Sequence, residues 1–180
     1  MIAAPGGGKG TQGERLSAKF GIQHVSSGDL LRAAARADTP AGREVAAYQE
    51  RGDLVPDQIV LYLLTPVVTA AAAHGGYILD GFPRTLPQAI AAADIGRRLD
   101  VTLDAAVYLN VPEPVLTQRL LARARADDTA EVIGHRLQVF AEATRPLIDY
   151  YRDRGILVEV DGDQPLDSIT ADIVARLPPP

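Results

Sequence analysis

The chain has no cysteine among its 180 residues, so no disulfide can staple it and no thiolate can hold a metal. It also lacks any excess of basic residues: 18 Lys and Arg against 23 Asp and Glu leave a net charge of −5. A surface that neutralises a nucleic-acid backbone or an anionic bilayer needs the opposite balance, which argues against both as partners. An anionic ligand must therefore be met by cations gathered locally. No apolar run approaches the ~20 residues that span a bilayer, and no basic segment followed by an apolar one opens the chain as a secretory leader would. The cytoplasm is the expected compartment. No heptad pattern or extended apolar patch is visible, and a monomer is expected.

What is present is the composition of a globular domain, 47% hydrophobic and 23% charged, in a chain long enough to bury a proper core. No internal repeat or linker divides it, so residues 1–180 are read as one domain.

The most informative stretch is Pro5-Gly6-Gly7-Gly8-Lys9-Gly10-Thr11-Gln12. Glycines that run into a lysine at a helix start allow backbone N–H groups to close on an anion, and the helix N-terminus adds partial positive charge. A flexible leader with an accidental lysine is the bland alternative, and the amphipathic helix that follows at once speaks against it. The general phosphate-loop pattern would place glycine at Ala3 and a hydroxyl directly after Lys9, where this chain has Gly10 and then Thr11. Mg²⁺ is then expected on nucleotide phosphates and waters, with Thr11 or a distant carboxylate as the protein's share. A buried strand ordinarily precedes such a loop. Only Met1 and Ile2 stand before Ala3, so the first strand is expected to be cut short, confined to 1–4. Among a start site assigned too late, a shortened chain and a naturally short strand, the first is preferred, since neighbours of a missing central strand lose backbone partners at roughly 1–3 kcal/mol each.

Downstream the pattern alternates. A helix through Leu16 and Phe20 closes at Gly21, a strand follows at 22–25, and Ser26-Ser27-Gly28-Asp29 opens a new helix carrying Arg32. One serine caps that helix, which leaves the other for a ligand. Thr39-Pro40 breaks the chain into a further helix ended by Gly52, so 26–55 reads as a small helical insert. A long helix from Asp57 stops at His74-Gly75-Gly76, with His74 solvated. The apolar run Tyr77-Ile78-Leu79 ends in Asp80 and passes into Gly81-Phe82-Pro83-Arg84. Ligands gather at the carboxyl ends of parallel strands, so Asp80 and Arg84 stand where a substrate would, an exposed ion pair in a turn being the plainer alternative. A helix at 87–99, a strand at 103–111 and a helix at 114–124 follow. Arg119 and Arg123 share one helical face, Arg125 comes next, Ala126-Asp127-Asp128-Thr129 reads as turn and cap, and Arg136 lies in the next helix. A solvated, charge-paired surface is the usual meaning of such a cluster; beside a phosphate loop it is also the missing source of cations. A strand at 156–160 and a helix at 166–177 close the pattern. The whole predicts a three-layer α/β fold, a mainly parallel five-stranded sheet with helices on both faces.

Pro5-Gly6-Gly7-Gly8-Lys9-Gly10-Thr11-Gln12, Ser26-Ser27-Gly28-Asp29-Leu30-Leu31-Arg32, Asp80-Gly81-Phe82-Pro83-Arg84 with Gln88, and Arg123-Ala124-Arg125-Ala126-Asp127-Asp128 with Arg136 together resemble the adenylate kinases, in their short-lid form. The resemblance runs over nearly the whole chain in the right order. It implies a P-loop NTPase fold and the reversible reaction Mg·ATP + AMP ⇌ 2 ADP, with a mobile insert at 26–55 and a lid at 122–128 too short for zinc. On the ATP side it implies Gly6, Gly7, Gly8, Lys9, Gly10 and Thr11 around the phosphates, with Arg119, Arg123 and the Gln164 backbone. On the AMP side it implies Ser27 and Gln88 at the base and Arg32 and Arg84 at the phosphate, while Asp53, Leu54, Val55, Gly81, Phe82 and Pro83 line the pocket. Arg125 and Arg136 would bridge the reacting phosphates, and Asp80 would hold Mg²⁺ through water. Lys9, Asp80, Arg84, Arg123, Arg125 and Arg136 form the implied catalytic set. Ser27 with Gln88 suits adenine, which leaves UMP/CMP kinase, or an adenine-nucleotide-binding paralogue without turnover, as the alternatives.

Overall fold

In the order of the chain the alternation becomes β1 (Ile2–Ala3), α1 (Lys9–Phe20), β2 (Gln23–Ser26), α2 (Ser27–Arg36), α3 (Pro40–Arg51), α4 (Asp57–Ala72) and β3 (Tyr77–Asp80). Then follow α5 (Leu86–Arg98), β4 (Ala106–Asn110), α6 (Glu113–Arg123), α7 (Ala130–Val139), a π-turn (Phe140–Thr144), α8 (Pro146–Arg152), β5 (Leu157–Asp161) and α9 (Leu166–Arg176). The computed structural model describes residues 1–98, 101–123, 125 and 128–178. Ala124, Ala126 and Asp127 of the expected lid, Leu99 at the expected end of α5, and Pro179 and Pro180 lie outside the described residues.

Local chemistry sets most of these boundaries. Gly21 ends α1 and Gly52 ends α3, at φ 68° and 79°, a left-handed conformation that side chains with a Cβ disfavour. Thr39 caps α3 ahead of Pro40, and Thr129 caps α7, each through its side-chain oxygen. Ser26 caps α2 by accepting from the Asp29 N–H, which settles which serine has the structural task.

Every strand pairing is parallel, as expected. The sheet is not continuous, however: its hydrogen-bonded ladders run β1-β4-β5 and, separately, β2-β3. The division follows from the length of β1. Two residues suffice to pair with Tyr108 and Leu109 of β4 but build no ladder toward β3. Across the seam the Met1 ammonium donates to the Leu79 carbonyl at 2.7 Å; burial draws that ammonium down to a pKa of about 6, against the pull of Asp80.

The layers follow from period-two alternation along β4. Ala106 and Tyr108 enter one core with Leu147, Ile148 and Tyr151 of α8; Val107 and Leu109 enter another with Leu16 of α1 and Ile169 and Ile173 of α9. A third core, built on Val25, Leu31, Val45, Val55, Leu64 and Phe82, packs α2, α3 and α4 on β2 and β3. The carboxyl ends of β1, β2 and β3 consequently open on one side, beneath α2 and α3.

No helix among the described residues is long and apolar enough to cross a membrane.

Candidate active site

The loop between β1 and α1 is shaped by its glycines. Gly6 and Gly8 sit at φ 82° and 85°, and a Cβ on Gly7 would lie 2.7 Å from the Cβ of Ala3. Gly8 is also the N-cap of α1 and offers no side chain there. The first N–H groups of α1 therefore face outward without a side-chain acceptor, the arrangement that receives an anion. Gly7 itself lies behind the loop, buried, its N–H bonded to the Ala4 carbonyl.

In front of the loop is a cleft of about 500 Å³. Lys9, Gly10 and Thr11 form its floor; Ser27 and Arg32 enter from α2, and Asp80, Phe82 and Arg84 from the end of β3. Asp53, Leu54 and Val55 line it as well, as do Arg119, Arg123, Arg125 and Arg136, the last packed beside the turn that carries Asp53. The structure thus brings together residues from five separate stretches of sequence. Gln164 is not among the cleft residues: its amide turns back to the Asp161 carbonyl, and its loop meets Arg119, which reaches the Gly162 carbonyl at 3.0 Å and Asp163 Oδ1 at 3.3 Å.

The cations in this cleft are under strain from one another. Burial pulls Lys9 below the usual lysine range; Asp80 opposes this, while Arg84, Arg123 and Arg32 push the same way as burial. Arg84 is likewise lowered by burial, with Arg136 and Arg32 adding to it. Lysine and arginine charges crowded around the Asp80 carboxylate in a desolvated cleft make a site that favours added negative charge. Asp80 is 5% exposed. Burial pushes its carboxyl up, but His24, Lys9 and the Met1 ammonium together outweigh that and hold it below the usual carboxylate range.

Three polar atoms here are buried without a hydrogen-bond partner in the protein, the Ser27 hydroxyl, Asp80 Oδ1 and His24 Nε2. Buried polar groups are nearly always paired, so unpaired ones in a cleft point to a ligand. Ser27, which the cap at Ser26 leaves available, is 1% exposed. Gln88 is engaged at both ends, accepting from the Arg84 N–H at 2.7 Å and donating to Asp57; it holds the Arg84 loop as well as facing the cleft. A lone carboxylate oxygen beside a lysine suits a hard cation held mainly by phosphates and waters, and among the described residues no group of three or more potential ligands gathers.

The family profile described as adenylate kinase matches residues 1–156. The chain belongs to the adenylate kinase family. Among similar curated proteins, an adenylate kinase from Cyanothece sp. is 45% identical over 177 residues, covering 96% of this chain and 91% of the relative. One from Prochlorococcus marinus is 45% identical over 177 residues (98% and 96%), and one from Methylobacterium radiotolerans 43% over 189 residues (99% and 94%). With membership goes the family's function: the chain is a phosphotransferase of the adenylate kinase type. The α/β fold with parallel pairing, expected from the sequence, agrees with it.

Four residues of this adenylate kinase site were not legible as such in the sequence. His24 brings Nε2 to 3.6 Å from Asp80 Oδ2 and packs against Gly13, where a Cβ would strike the imidazole at 2.5 Å. Asp128, read as part of a turn, is a buried anchor: its carboxylate accepts from Arg123 Nε and Nη2 at 2.9 and 2.7 Å and from Arg136 Nη1 at 3.1 Å. Thr144 donates to the Arg84 carbonyl at 2.8 Å. His135 lies 2.8 Å from Asp53. The one available signal was period-two alternation, which sets His24 on the face of β2 that also carries Ser26; His135 and Thr144 depend on partners distant in sequence, and Asp128 on the fold that buries it.

Proposed function

We propose that the chain moves the terminal phosphoryl group of Mg·ATP to AMP by direct in-line transfer, giving two ADP. The observation that carries this reading is the single cleft in which a glycine-built anion cradle and mutually repelling cations share space with an unpartnered, buried Ser27 hydroxyl. In this reading the ATP phosphates lie over Gly6–Thr11 and the AMP base lies against Ser27 and Gln88. Arg32 and Arg84 take the AMP phosphate, with Asp53, Leu54 and Val55 as the pocket wall. Arg119 and Arg123 serve the ATP side, Arg125 and Arg136 reach the phosphates that react, and Gln164 lies near the ATP base.

Transfer between two anions asks little covalent chemistry of a protein. It asks for alignment and for charge on the equatorial oxygens, which fixed arginines and Lys9 supply. The acceptor phosphate is already an anionic nucleophile, so no general base is needed. Asp80 would hold Mg²⁺ through water, and the ion supplies neutralisation of the terminal phosphates. The insert at 26–55 and the short lid at 122–128 keep water from the transferring group. We place this activity in a cytoplasmic monomer.

The deciding experiment is Mg²⁺-dependent ADP formation from ATP with AMP, UMP and CMP as acceptors. Turnover confined to AMP supports the reading; turnover confined to UMP or CMP makes the protein a pyrimidine-nucleotide kinase, and nucleotide binding without turnover makes it a binding protein.

Two variants test the acceptor side. Ser27→Ala removes a hydroxyl that has no protein partner, so the melting temperature of the ligand-free protein is expected to hold or rise, while KM for AMP rises about five- to tenfold, the worth of one hydrogen bond. Arg84→Lys keeps the charge and loses the planar fork that can grip two phosphate oxygens. Its kcat/KM for AMP is expected to fall about 100-fold with an unchanged circular dichroism spectrum.

A further inference from the structure

The insert meets the helix after the lid at the turn that closes α3. At Gly52 a Cβ would come within 3.0 Å of Arg136 Cγ and 3.3 Å of Val132 Cγ1, so α7 lies flat against this turn. Arg136 Nη2 donates to the Gln49 carbonyl at 3.1 Å. His135 Nε2 lies 2.8 Å from Asp53 Oδ1, and Arg51 Nε donates to the other oxygen, Asp53 Oδ2, at 2.8 Å. Leu54 and Val55, the next two residues, line the cleft, and Val55 is buried in the core that carries Phe82. Movement of Asp53 relative to α7 is therefore passed directly to the cleft wall.

We propose that His135 is a positioning residue for the acceptor side of the site: as an imidazolium it pins Asp53 to α7 and tightens AMP binding, and it relaxes that wall as it loses its proton.

This inference rests on the reading that residues 53–55 face AMP. Imidazole is the ordinary side chain that changes charge between pH 5 and 8. Asp53 is held below the usual carboxylate range by the Arg51 hydrogen bond and then by His135, so it remains ionised through that interval. The other charges around the pair are Arg51 and Arg136, which repel the imidazolium, and Glu131, one turn back on α7, which favours it. With an imidazolium the pair is charged on both sides and the wall is held most firmly; with a neutral imidazole a hydrogen bond remains. Side-chain exposures of 42% for His135 and 36% for Asp53 keep the pair in exchange with solvent and keep its effect modest.

The test measures kcat and the KM values of AMP and ATP at about pH 6 and about pH 8 for the full chain and for His135→Gln, His135→Arg, Asp53→Asn and the double variant Asp53→Asn/His135→Gln. Each variant is compared with the parent at the same pH, which cancels titration of the AMP phosphate. His135→Gln is expected to raise KM for AMP about two- to fivefold near pH 6 and to differ little near pH 8, with kcat and the ATP KM held. His135→Arg, whose charge is permanent, is expected to carry the low-pH KM to pH 8. In the Asp53→Asn background, His135→Gln is expected to add nothing. An AMP KM ratio that is equal at both pH values, or no change at all, overturns the proposal although AMP remains the acceptor. A shift in the ATP KM alone overturns it differently, by showing that residues 53–55 do not face AMP.

Discussion

Lys9→Met is expected to lower kcat by about 100- to 1,000-fold, the usual cost of removing one preorganised charge from a transition state, and at the same time to raise the melting temperature of the ligand-free protein. The two effects have one cause. Lys9 is drawn from water in a cleft where Arg84, Arg123 and Arg32 oppose its charge and only Asp80 favours it. Methionine fills similar space without a charge to desolvate. If the relief is on the order of 1 kcal/mol, the shift is roughly 2–4 °C for a chain of this size. Scanning calorimetry with and without ADP checks it: the variant melts higher alone and gains far less from nucleotide than the parent. A lower melting temperature in the ligand-free variant would mean that the Lys9–Asp80 attraction outweighs the crowding of cations, and the electrostatic account of the cleft would fall with it.

The second large effect is expected at Asp128, outside the implied catalytic set. Its side chain is fully buried and accepts from both Arg123 and Arg136, and Oδ2 also takes the Arg125 N–H at 3.3 Å. The carboxylate thus fixes three stretches of the cation-bearing wall. Asp128→Ala leaves Arg123 and Arg136 without it. Breaking a buried pair by removing one partner costs about 3–5 kcal/mol; with Arg123 a third exposed, about 2–3 kcal/mol is expected, a drop of roughly 5–10 °C. Asp128→Asn separates the roles. It keeps the shape and one acceptor, so its melting temperature falls less, while kcat still drops about 10- to 100-fold because the two guanidinium groups are no longer gripped. Stopped-flow and calorimetry on the two variants check this; an Asp128→Asn protein with parental kcat would make the carboxylate a structural anchor alone.

Residues whose role is set by the chain beside them were the legible ones. Gly21 and Gly52 end helices because of their own φ, Thr129 caps α7 through a neighbouring N–H, and the glycines before Lys9 announce a cradle wherever they occur. Boundaries drifted where apolar sequence continued past the hydrogen bonding: a strand expected over 103–111 is β4, Ala106–Asn110. The arginines were legible as a group because i and i+4 spacing sets Arg119 and Arg123 on one face. Their anchor was not. Asp128 beside Asp127 reads as one of two turn acids until the fold buries it, and His24, His135 and Thr144 act on partners 56, 82 and 60 residues away. The break in the sheet was also hidden: a short first strand was evident, but whether its neighbours would close over it depends on three-dimensional packing.

The π-turn at Phe140–Thr144, where the Arg145 N–H reaches back five residues to the Phe140 carbonyl at 2.9 Å, has a consequence for how this region tolerates change. A turn of this kind holds one residue more than an α-helical turn, and each residue of an α-helix advances about 100°. Upstream, α7 must present Arg136 to the cleft; downstream, α8 must present Leu147, Ile148 and Tyr151 to the core. The extra residue works like an offset coupling between two shafts, letting each half keep its own phase, with Thr144 at the joint. Deleting one residue here would leave a smoother helix and a mistimed protein, since restoring the core would swing Arg136 away from the cleft and restoring Arg136 would turn the core residues outward. Substitutions on either side should therefore be far better tolerated than any change in length.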